Sequence, residues 1–141
     1  MASSFKMSRV VEFCETDMAG IVHFSNFYIW MEQAEHAFFR SLGLTIVSHR
    51  SDGSTIGWPR VSAQCRFESP ARYEDTLDIL LTVQRIGAKS LTYDILFSCG
   101  ERTVARGSLK TVCCVVKPGE PLQSILIPGE YAKQIEEFHP G

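Results

Sequence analysis

Asp17 is the residue of this sequence that is best placed to do chemistry, because its loop, residues 16–20, comes just before a predicted helix. The first backbone N–H groups of a helix lack partners within the helix and carry partial positive charge. They can bind an anion, or the oxygen of a carbonyl that becomes negative during attack. A carboxylate beside them could activate water or attack the carbonyl directly. These are the minimal parts for acyl transfer, although a turn containing Asp and Gly is the simpler interpretation of the spacing alone.

The helix that would position Asp17 is predicted over residues 26–42. Ser25 or Asn26 can act as its N-cap, and Gly43 can end it in a left-handed conformation. Its apolar residues recur at the 3.6-residue helical spacing and form one broad stripe. The stripe comprises Phe27, Trp30, Met31, Ala34, Ala37, Phe38 and Leu42.

Strands are predicted on both sides of this helix in the sequence. The first spans residues 5–15, and a short final helix is predicted over residues 129–138. Three-residue links between the later strands predict antiparallel hairpins. In the first of these later strands, Val61, Ala63, Cys65 and Phe67 alternate with polar residues and are expected to share one face. The four later strands are predicted at residues 57–68, 76–86, 90–99 and 103–117.

This order of elements predicts an α+β fold, in which one curved antiparallel sheet of five strands wraps one long helix. The length of 141 residues fits a single domain over residues 1–141. An open sheet has exposed edges and an uncovered face, and pairing with a second copy of the chain is a common way to protect them.

Composition excludes several classes of function. With 14 basic and 16 acidic residues, the net charge of −2 gives no basic excess for nucleic acid or a membrane surface. No apolar run approaches the ~18 residues of a membrane-spanning helix, and the first residues carry no long apolar signal segment. The five cysteines are odd in number and lack a C-x-x-C spacing, so we expect no metal site and no disulfide framework. Buried, reduced thiols in a cytoplasmic protein are the expectation.

The segment ETDMAGIVHFSNF at residues 15–27, followed by WME at residues 30–32, resembles the signature of 4-hydroxybenzoyl-CoA thioesterases and related hotdog-fold acyl-CoA thioesterases. RFESPARYED at residues 66–75 and GAKSLT at residues 87–92 are similar to later strands of the same family. The similarity extends from about residue 8 to residue 118. It implies a hotdog fold, in which a five-stranded antiparallel sheet wraps a long central helix. It also implies a homodimer or homotetramer with active sites at the interface.

The resemblance also implies roles for individual residues. Asp17 matches the catalytic aspartate, and the backbone N–H of Phe24 matches the group that polarises the thioester carbonyl. Gly20 matches a glycine that lets the backbone come close to the substrate. His23 falls where the family often has His or an aromatic residue, so a substrate contact and an ordinary packed or solvated histidine both remain open. Lys89 lies where family members often place a contact to the phosphates of coenzyme A.

Other residues leave alternatives open. Trp58 could line an acyl pocket that accepts an aromatic group, or it could belong to the core. Other branches of the superfamily use a glutamate on the long helix. Glu32 and Glu35 are the candidates for that role, with Glu35 the better placed because it lies at the edge of the apolar stripe. Since the Asp17 motif is intact, both rank below it.

The sequence therefore predicts an acyl-CoA thioesterase that releases a free acid and coenzyme A, with Asp17 as nucleophile or general base. Coenzyme A enters as part of the substrate, and no metal or redox cofactor is expected. The alternatives are a hotdog hydratase or dehydratase acting on acyl thioesters, and a hotdog domain that binds an acyl-CoA without turnover. A fold alone does not decide among these functions.

Overall fold

The computed structural model describes residues 2–140 and contains one long helix and two antiparallel sheets. The α+β class and the antiparallel sheet are confirmed. The long helix α1 is Ser25–Ser41, one residue earlier than predicted, and the short α2 is Gly129–Ala132. The strands are β1 Ser4–Val10, β2 Ser48–His49, β3 Thr55–Gly57, β4 Arg60–Phe67, β5 Thr76–Ile86, β6 Ser90–Cys99, β7 Arg102–Val112, β8 Cys114–Val116 and β9 Gln123–Ser124.

The larger sheet has five strands in the order β1-β5-β6-β7-β4, but the prediction of a single five-stranded sheet was incomplete. A second sheet joins β2, β3, β8 and β9, each two or three residues long. Strands this short carry no readable alternation, so the sequence pattern could not reveal them. The predicted strand 103–117 divides into β7 and β8 at Cys113, whose N–H donates to the Lys89 carbonyl at 2.7 Å.

Two predicted elements end earlier than the pattern indicated. The first strand stops at Val10, and Phe13–Glu15 forms a 3₁₀ turn that leads into the Asp17 loop. The final helix covers only Gly129–Ala132, instead of residues 129–138.

The inner face of α1 packs on the larger sheet through an apolar core. The buried helix residues include Trp30, Met31 and Phe38, as the stripe predicted, and also Glu35. Gly107 on β7 allows the helix to come close, because a Cβ atom there would lie 2.2 Å from the Met31 Sδ. The missing side chain at Gly107 thus leaves room for the Met31 thioether between α1 and β7.

Strand β4 is an edge strand with an irregularity at its start. The register shifts between Arg60 and Ser62, so Val61 leaves the face that it was predicted to share and is exposed. Arg60 pairs with the buried Thr111 and therefore points inward. The rest of the predicted face is retained, since Ala63, Cys65 and Phe67 lie opposite Leu109, Gly107 and Ala105.

All five cysteines are free thiols, but they are not uniformly buried. Cys14 is exposed, whereas Cys113 and Cys114 are both buried, and burial raises the pKa of the Cys113 thiol to about 11. Within residues 2–140, no helix combines the length and the apolar character that crossing a bilayer requires.

Candidate active site

The loop that carries Asp17 is closed by backbone hydrogen bonds. A bridge joins Thr16 to Val22, the Asp17 N–H donates to the Ile21 carbonyl at 2.9 Å, and the Gly20 N–H donates to the Asp17 carbonyl at 2.9 Å. Gly20 has φ +77°, in the left-handed region that favours glycine, while a Cβ atom there would meet nothing within 4 Å. The left-handed backbone of this turn is therefore a conformational reason for a glycine at position 20.

The Asp17 side chain is exposed, and its loop partly orients it. Its Oδ1 accepts the Ala19 N–H at 2.9 Å, which is the local turn that Asp commonly makes. Among residues 2–140, no group donates a hydrogen bond to Oδ2. One carboxylate oxygen is thus held by the loop while the other remains available to a ligand.

The start of α1 presents one free backbone donor. Phe24 occupies the N-cap position, with helical dihedral angles of φ −55° and ψ −31°. No side chain caps the helix, so the prediction of Ser25 or Asn26 as the N-cap was wrong. Among residues 2–140, no acceptor takes a hydrogen bond from the Phe24 N–H. Its neighbours at 23 and 25–27 all donate: His23 to the Glu15 carbonyl, Ser25 to His23 Nδ1, Asn26 to the His23 carbonyl and Phe27 to the Phe24 carbonyl. The pairing pattern therefore singles out Phe24 as the open donor at the positive end of the helix.

Asp17 and Phe24 line the same cleft, which has a volume of about 540 Å³. Apolar side chains make up most of the remaining wall, including Ile21, Phe27 and Phe67. The cleft therefore places a carboxylate and a helix N-terminus against a space suited to an apolar group.

The opposite wall of the cleft, residues 68–71, is held by arginines of β7. Arg102 Nη1 donates to the Pro70 carbonyl at 2.5 Å and to the Ser69 Oγ at 2.9 Å. Arg106 Nε donates to the Glu68 carboxylate at 2.7 Å. These contacts fix the wall relative to the larger sheet.

His23 lies beside the cleft and outside its lining. Its ring packs against Phe24 with 4.7 Å between centroids, and its Nδ1 lies 2.8 Å from the Ser25 Oγ. Because Nδ1 also accepts the Ser25 N–H, the proton of the neutral ring belongs on Nε2.

Trp58 and Lys89 are not near Asp17 within one protomer. Trp58 is 4% exposed and packs against Phe39 and Tyr131 with centroids 5.6 and 5.4 Å apart. Lys89 is exposed in the turn after β5. The Asp17 loop adjoins the other end of β5, and the eleven residues of that strand span about 33 Å.

The helix glutamates also lie away from the cleft. Glu35 is fully buried, eight residues and about 12 Å along the helix from Phe27. It forms an ion pair with Arg60, and burial raises its pKa from 4.5 to about 7 although Arg60 opposes the shift. Glu32 is exposed, and its carboxylate lies 4.0 Å from Arg60. Sequence reasoning missed the role of Arg60, because the bulge that turns it inward leaves no signal in the alternation.

Asn26 has a contact that the sequence did not predict. Its side-chain Nδ2 donates to the Glu15 carbonyl at 2.8 Å, across the base of the Asp17 loop. The motif at residues 15–27 contains both Glu15 and Asn26, so the sequence did place the two residues close together in the chain. A role as helix cap explained the Asn26 amide equally well, and the contact was therefore not predicted. Within residues 2–140, no three His, Cys, Asp or Glu side chains gather in a group that could hold a metal ion.

Comparison with known proteins finds thioesterases that are similar to this chain in sequence and in fold. The family model described as the thioesterase superfamily matches residues 19–106. The chain is similar to the 4-hydroxybenzoyl-CoA thioesterase of Pseudomonas sp. (strain CBS-3), at 30% identity over 93% of this chain and 96% of that protein. It is similar to the crystal structure of a 1,4-dihydroxy-2-naphthoyl-CoA thioesterase from Synechocystis, with a TM-score of 0.80 at 25% identity over 93% of this chain and 94% of that one. A gentisyl-coenzyme A thioesterase structure matches with a TM-score of 0.77 at 29% identity, over 91% of this chain and 99% of that one. These likenesses confirm the hotdog fold.

Proposed function

This chain belongs to the thioesterase superfamily, and we propose that it hydrolyses an aromatic acyl-CoA to the free acid and coenzyme A, with Asp17 and the Phe24 N–H as its catalytic groups. The observation that supports the proposal is the shared, largely apolar cleft, which is lined both by Asp17 and by Phe24, the residue whose N–H has no acceptor within residues 2–140. Thioester hydrolysis requires these groups: a base or nucleophile, a donor for the developing oxyanion, and a dry site for the acyl group.

The Phe24 N–H polarises the thioester carbonyl. As the carbonyl carbon is attacked, negative charge builds on its oxygen, and the N–H together with the helix dipole stabilises that charge. Because the neighbouring N–H groups already have acceptors, the oxyanion has one well-defined backbone donor at this point of the helix.

Asp17 can act by two routes. As a general base, it removes a proton from water while the water oxygen attacks the carbonyl carbon; the C–S bond then breaks, and the proton passes to the departing thiolate. As a nucleophile, it forms an acyl–aspartyl anhydride and releases the thiolate, and water then hydrolyses the anhydride. Appearance of ¹⁸O in the Asp17 carboxylate after a single turnover in H₂¹⁸O identifies the nucleophilic route, because general-base catalysis cannot place the label there.

Aromatic side chains support an aromatic acyl group. Phe24, Phe27 and Phe67 border the cleft, and such rings favour offset or edge-to-face contact with another ring. The three thioesterases named above all act on aromatic acyl groups that carry ring hydroxyls. We therefore propose a hydroxylated aromatic acyl-CoA as the substrate class.

A second copy of the chain completes the proposed site. Lys89 reaches the site only from another protomer, since within one protomer it lies at the far end of β5. Trp58 is buried against Phe39 and Tyr131 and offers almost no surface to a partner. The exposed edge of β4, with Val61 and Phe67 on it, is the surface available for pairing of the two copies. Sedimentation at micromolar concentration tests this: we expect a homodimer or homotetramer, and a fully active monomer would contradict it. No metal or redox cofactor enters the proposed reaction.

A panel of acyl-CoAs with a thiol-detecting reagent tests the reaction class. Benzoyl, hydroxybenzoyl, dihydroxynaphthoyl and straight-chain acyl-CoAs of matched carbon number separate ring recognition from simple hydrophobicity. We expect thiol release, fastest with the hydroxylated aromatic substrates. Loss of an enoyl-CoA without thiol release would instead indicate a hydratase, and binding without either would indicate a receptor.

A further inference from the structure

One backbone oxygen closes the base of the Asp17 loop. The Glu15 carbonyl accepts the His23 N–H at 2.9 Å and the Asn26 side-chain amide at 2.8 Å. Glu15 lies two residues before Asp17, and Asn26 lies two residues after Phe24. A single acceptor therefore joins the two segments of chain that carry the proposed base and the proposed oxyanion donor.

Glu15 is itself held in place by its side chain. Its Oε2 accepts hydrogen bonds from Arg9 Nη2 at 2.6 Å and from Trp30 Nε1 at 3.2 Å, and its Oε1 accepts the Glu12 N–H at 2.7 Å. The Arg9 guanidinium also lies over the Trp30 ring, 4.6 Å from its centroid. These contacts tie Glu15 to β1 and to the buried face of α1, so the amide of Asn26 bonds to an acceptor that cannot easily move.

The Asn26 side chain forms no capping hydrogen bond to its own helix. A polar residue at a helix start ordinarily accepts N–H groups of the first turn, but α1 has no side-chain cap, and the Asn26 amide donates away from the helix. Asn is also a weaker helix former than most residues. Its contact to Glu15 is therefore the feature that explains why an amide occupies this position.

We propose that Asn26 is a positioning residue that sets the separation between the Asp17 carboxylate and the Phe24 N–H, an inference that rests on the proposed function. Without the Asn26 contact, the His23 N–H is the one remaining donor to the Glu15 carbonyl within residues 2–140, and the Trp30 contact holds only the Glu15 side chain to α1. The base and the oxyanion donor must meet opposite ends of one small carbonyl group. A misplacement of about 1 Å can cost up to about 10²-fold in rate.

Asn26→Ser tests the positioning role, because serine is too short to reach the Glu15 carbonyl yet is well tolerated at a helix start. We expect kcat to fall roughly 10- to 100-fold while KM stays within about twofold, since the apolar walls of the cleft remain. The melting temperature should match that of Arg40→Ser, a change at an exposed residue in the last turn of the same helix that serves as the control and should keep normal kcat. An unchanged kcat in Asn26→Ser overturns the proposal. So does a fall in kcat accompanied by a raised KM and a lowered melting temperature, since that pattern indicates a structural role.

A double-mutant cycle shows whether Asn26 acts through Asp17. In an Asp17→Asn background, Asn26→Ser should reduce the remaining turnover by less than about threefold, because a base that is absent cannot be misplaced. A further loss as large as in the wild-type background overturns the positioning role. If Asp17→Asn alone keeps wild-type turnover, the proposed function itself fails, so the two failures can be told apart.

Discussion

Glu35 on the inner face of α1 is ion-paired with Arg60 on the edge strand β4, although the Glu35 side chain is fully buried. The bulge at the start of β4 makes the contact possible, because it turns Arg60 toward the helix. The pair ties the middle of the long helix to the edge of the sheet. Burial disfavours the charged form of a carboxylate, so the protonation state of Glu35, and with it this ion pair, should depend on pH.

The free energy of unfolding should fall as pH rises from about 4.5 to about 7, and Glu35 should be a cause. Burial raises the Glu35 pKa to about 7 from an ordinary value of 4.5, so the folded protein holds a proton in this window that the unfolded chain releases. Glu35→Gln is the test, since glutamine resembles the neutral acid. The variant should equal the wild type at pH 4 and become progressively more stable than it toward pH 7.5, as measured by urea unfolding.

The His36 pKa shifts in the opposite direction, mainly because burial lowers it. His36 Nε2 lies 3.7 Å from the Glu35 Oε1, so the comparison is repeated in a His36→Asn background, in which this side chain cannot titrate. A stability difference between the two proteins that stays constant from pH 4 to pH 8 would mean that Glu35 titrates normally.

Asp17→Asn should abolish most turnover and spare binding. The substitution keeps the size of the side chain and removes its charge, so a general base would lose roughly 10²–10⁴ in kcat and a nucleophile at least the upper end of that range. Folding should survive because Asp17 is exposed. Turnover is measured by thiol release, and binding by titration with a non-hydrolysable thioether analogue.

Glu35→Gln is also the activity control for Asp17→Asn, and only a mild effect on kcat is expected. If the Asp17 variant kept normal turnover while the Glu35 variant lost it, the helix glutamate would be the catalyst. If neither change mattered, the assignment of this cleft as the hydrolytic site would be wrong.

Lys89→Ala should raise KM for acyl-CoA and leave kcat nearly unchanged. A contact to a remote phosphate contributes equally to binding of the ground state and of the transition state. The effect should shrink as salt is added, because the contact is exposed. Lys110→Ala, which removes an exposed lysine of the larger sheet, is the matched control. If the two substitutions changed KM equally at low salt, Lys89 would not belong to the site.

Gly107→Ala should destabilise the protein by about 1–3 kcal/mol, because its methyl group would overlap the Met31 Sδ and force the helix or the Met31 side chain to shift. Urea unfolding measures the loss. Gly129→Ala is the control, since a Cβ atom there meets nothing within 4 Å and the residue does not have a positive φ. Combining Gly107→Ala with Met31→Ala should cost less than the sum of the two single changes, and strict additivity would argue against this contact.

Periodicity was enough to predict the helix and the strands of the larger sheet. The apolar stripe of α1 extends over several turns, and the long strands alternate over several residues. Both patterns are therefore long enough to be distinguished from chance spacing of apolar residues. The bulge before Ser62 escaped prediction because a one-residue register shift produces no period. The smaller sheet was not recognised as a separate sheet, because its strands have two or three residues and β8 lies within the predicted strand 103–117.

The candidate site could be predicted only in part. The motif around Asp17 indicated the loop and the start of the helix, and both groups indeed line one cleft. The free state of the Phe24 N–H could not be read from the sequence, because it depends on which acceptors its neighbours find. The wall at Pro70 depends on Arg102, which lies more than thirty positions away in the chain.

That wall has an evolutionary consequence. Arg102 is the first residue of β7, directly after the turn that follows β6, and is outside the lining of the cleft, yet it holds Ser69 and Pro70, which are part of that lining. Changes in this exterior hairpin can reshape the cleft while every lining residue stays the same. Homologues with identical cleft residues can therefore differ in substrate preference, and mutational libraries aimed at new acyl groups should include the residues around Arg102.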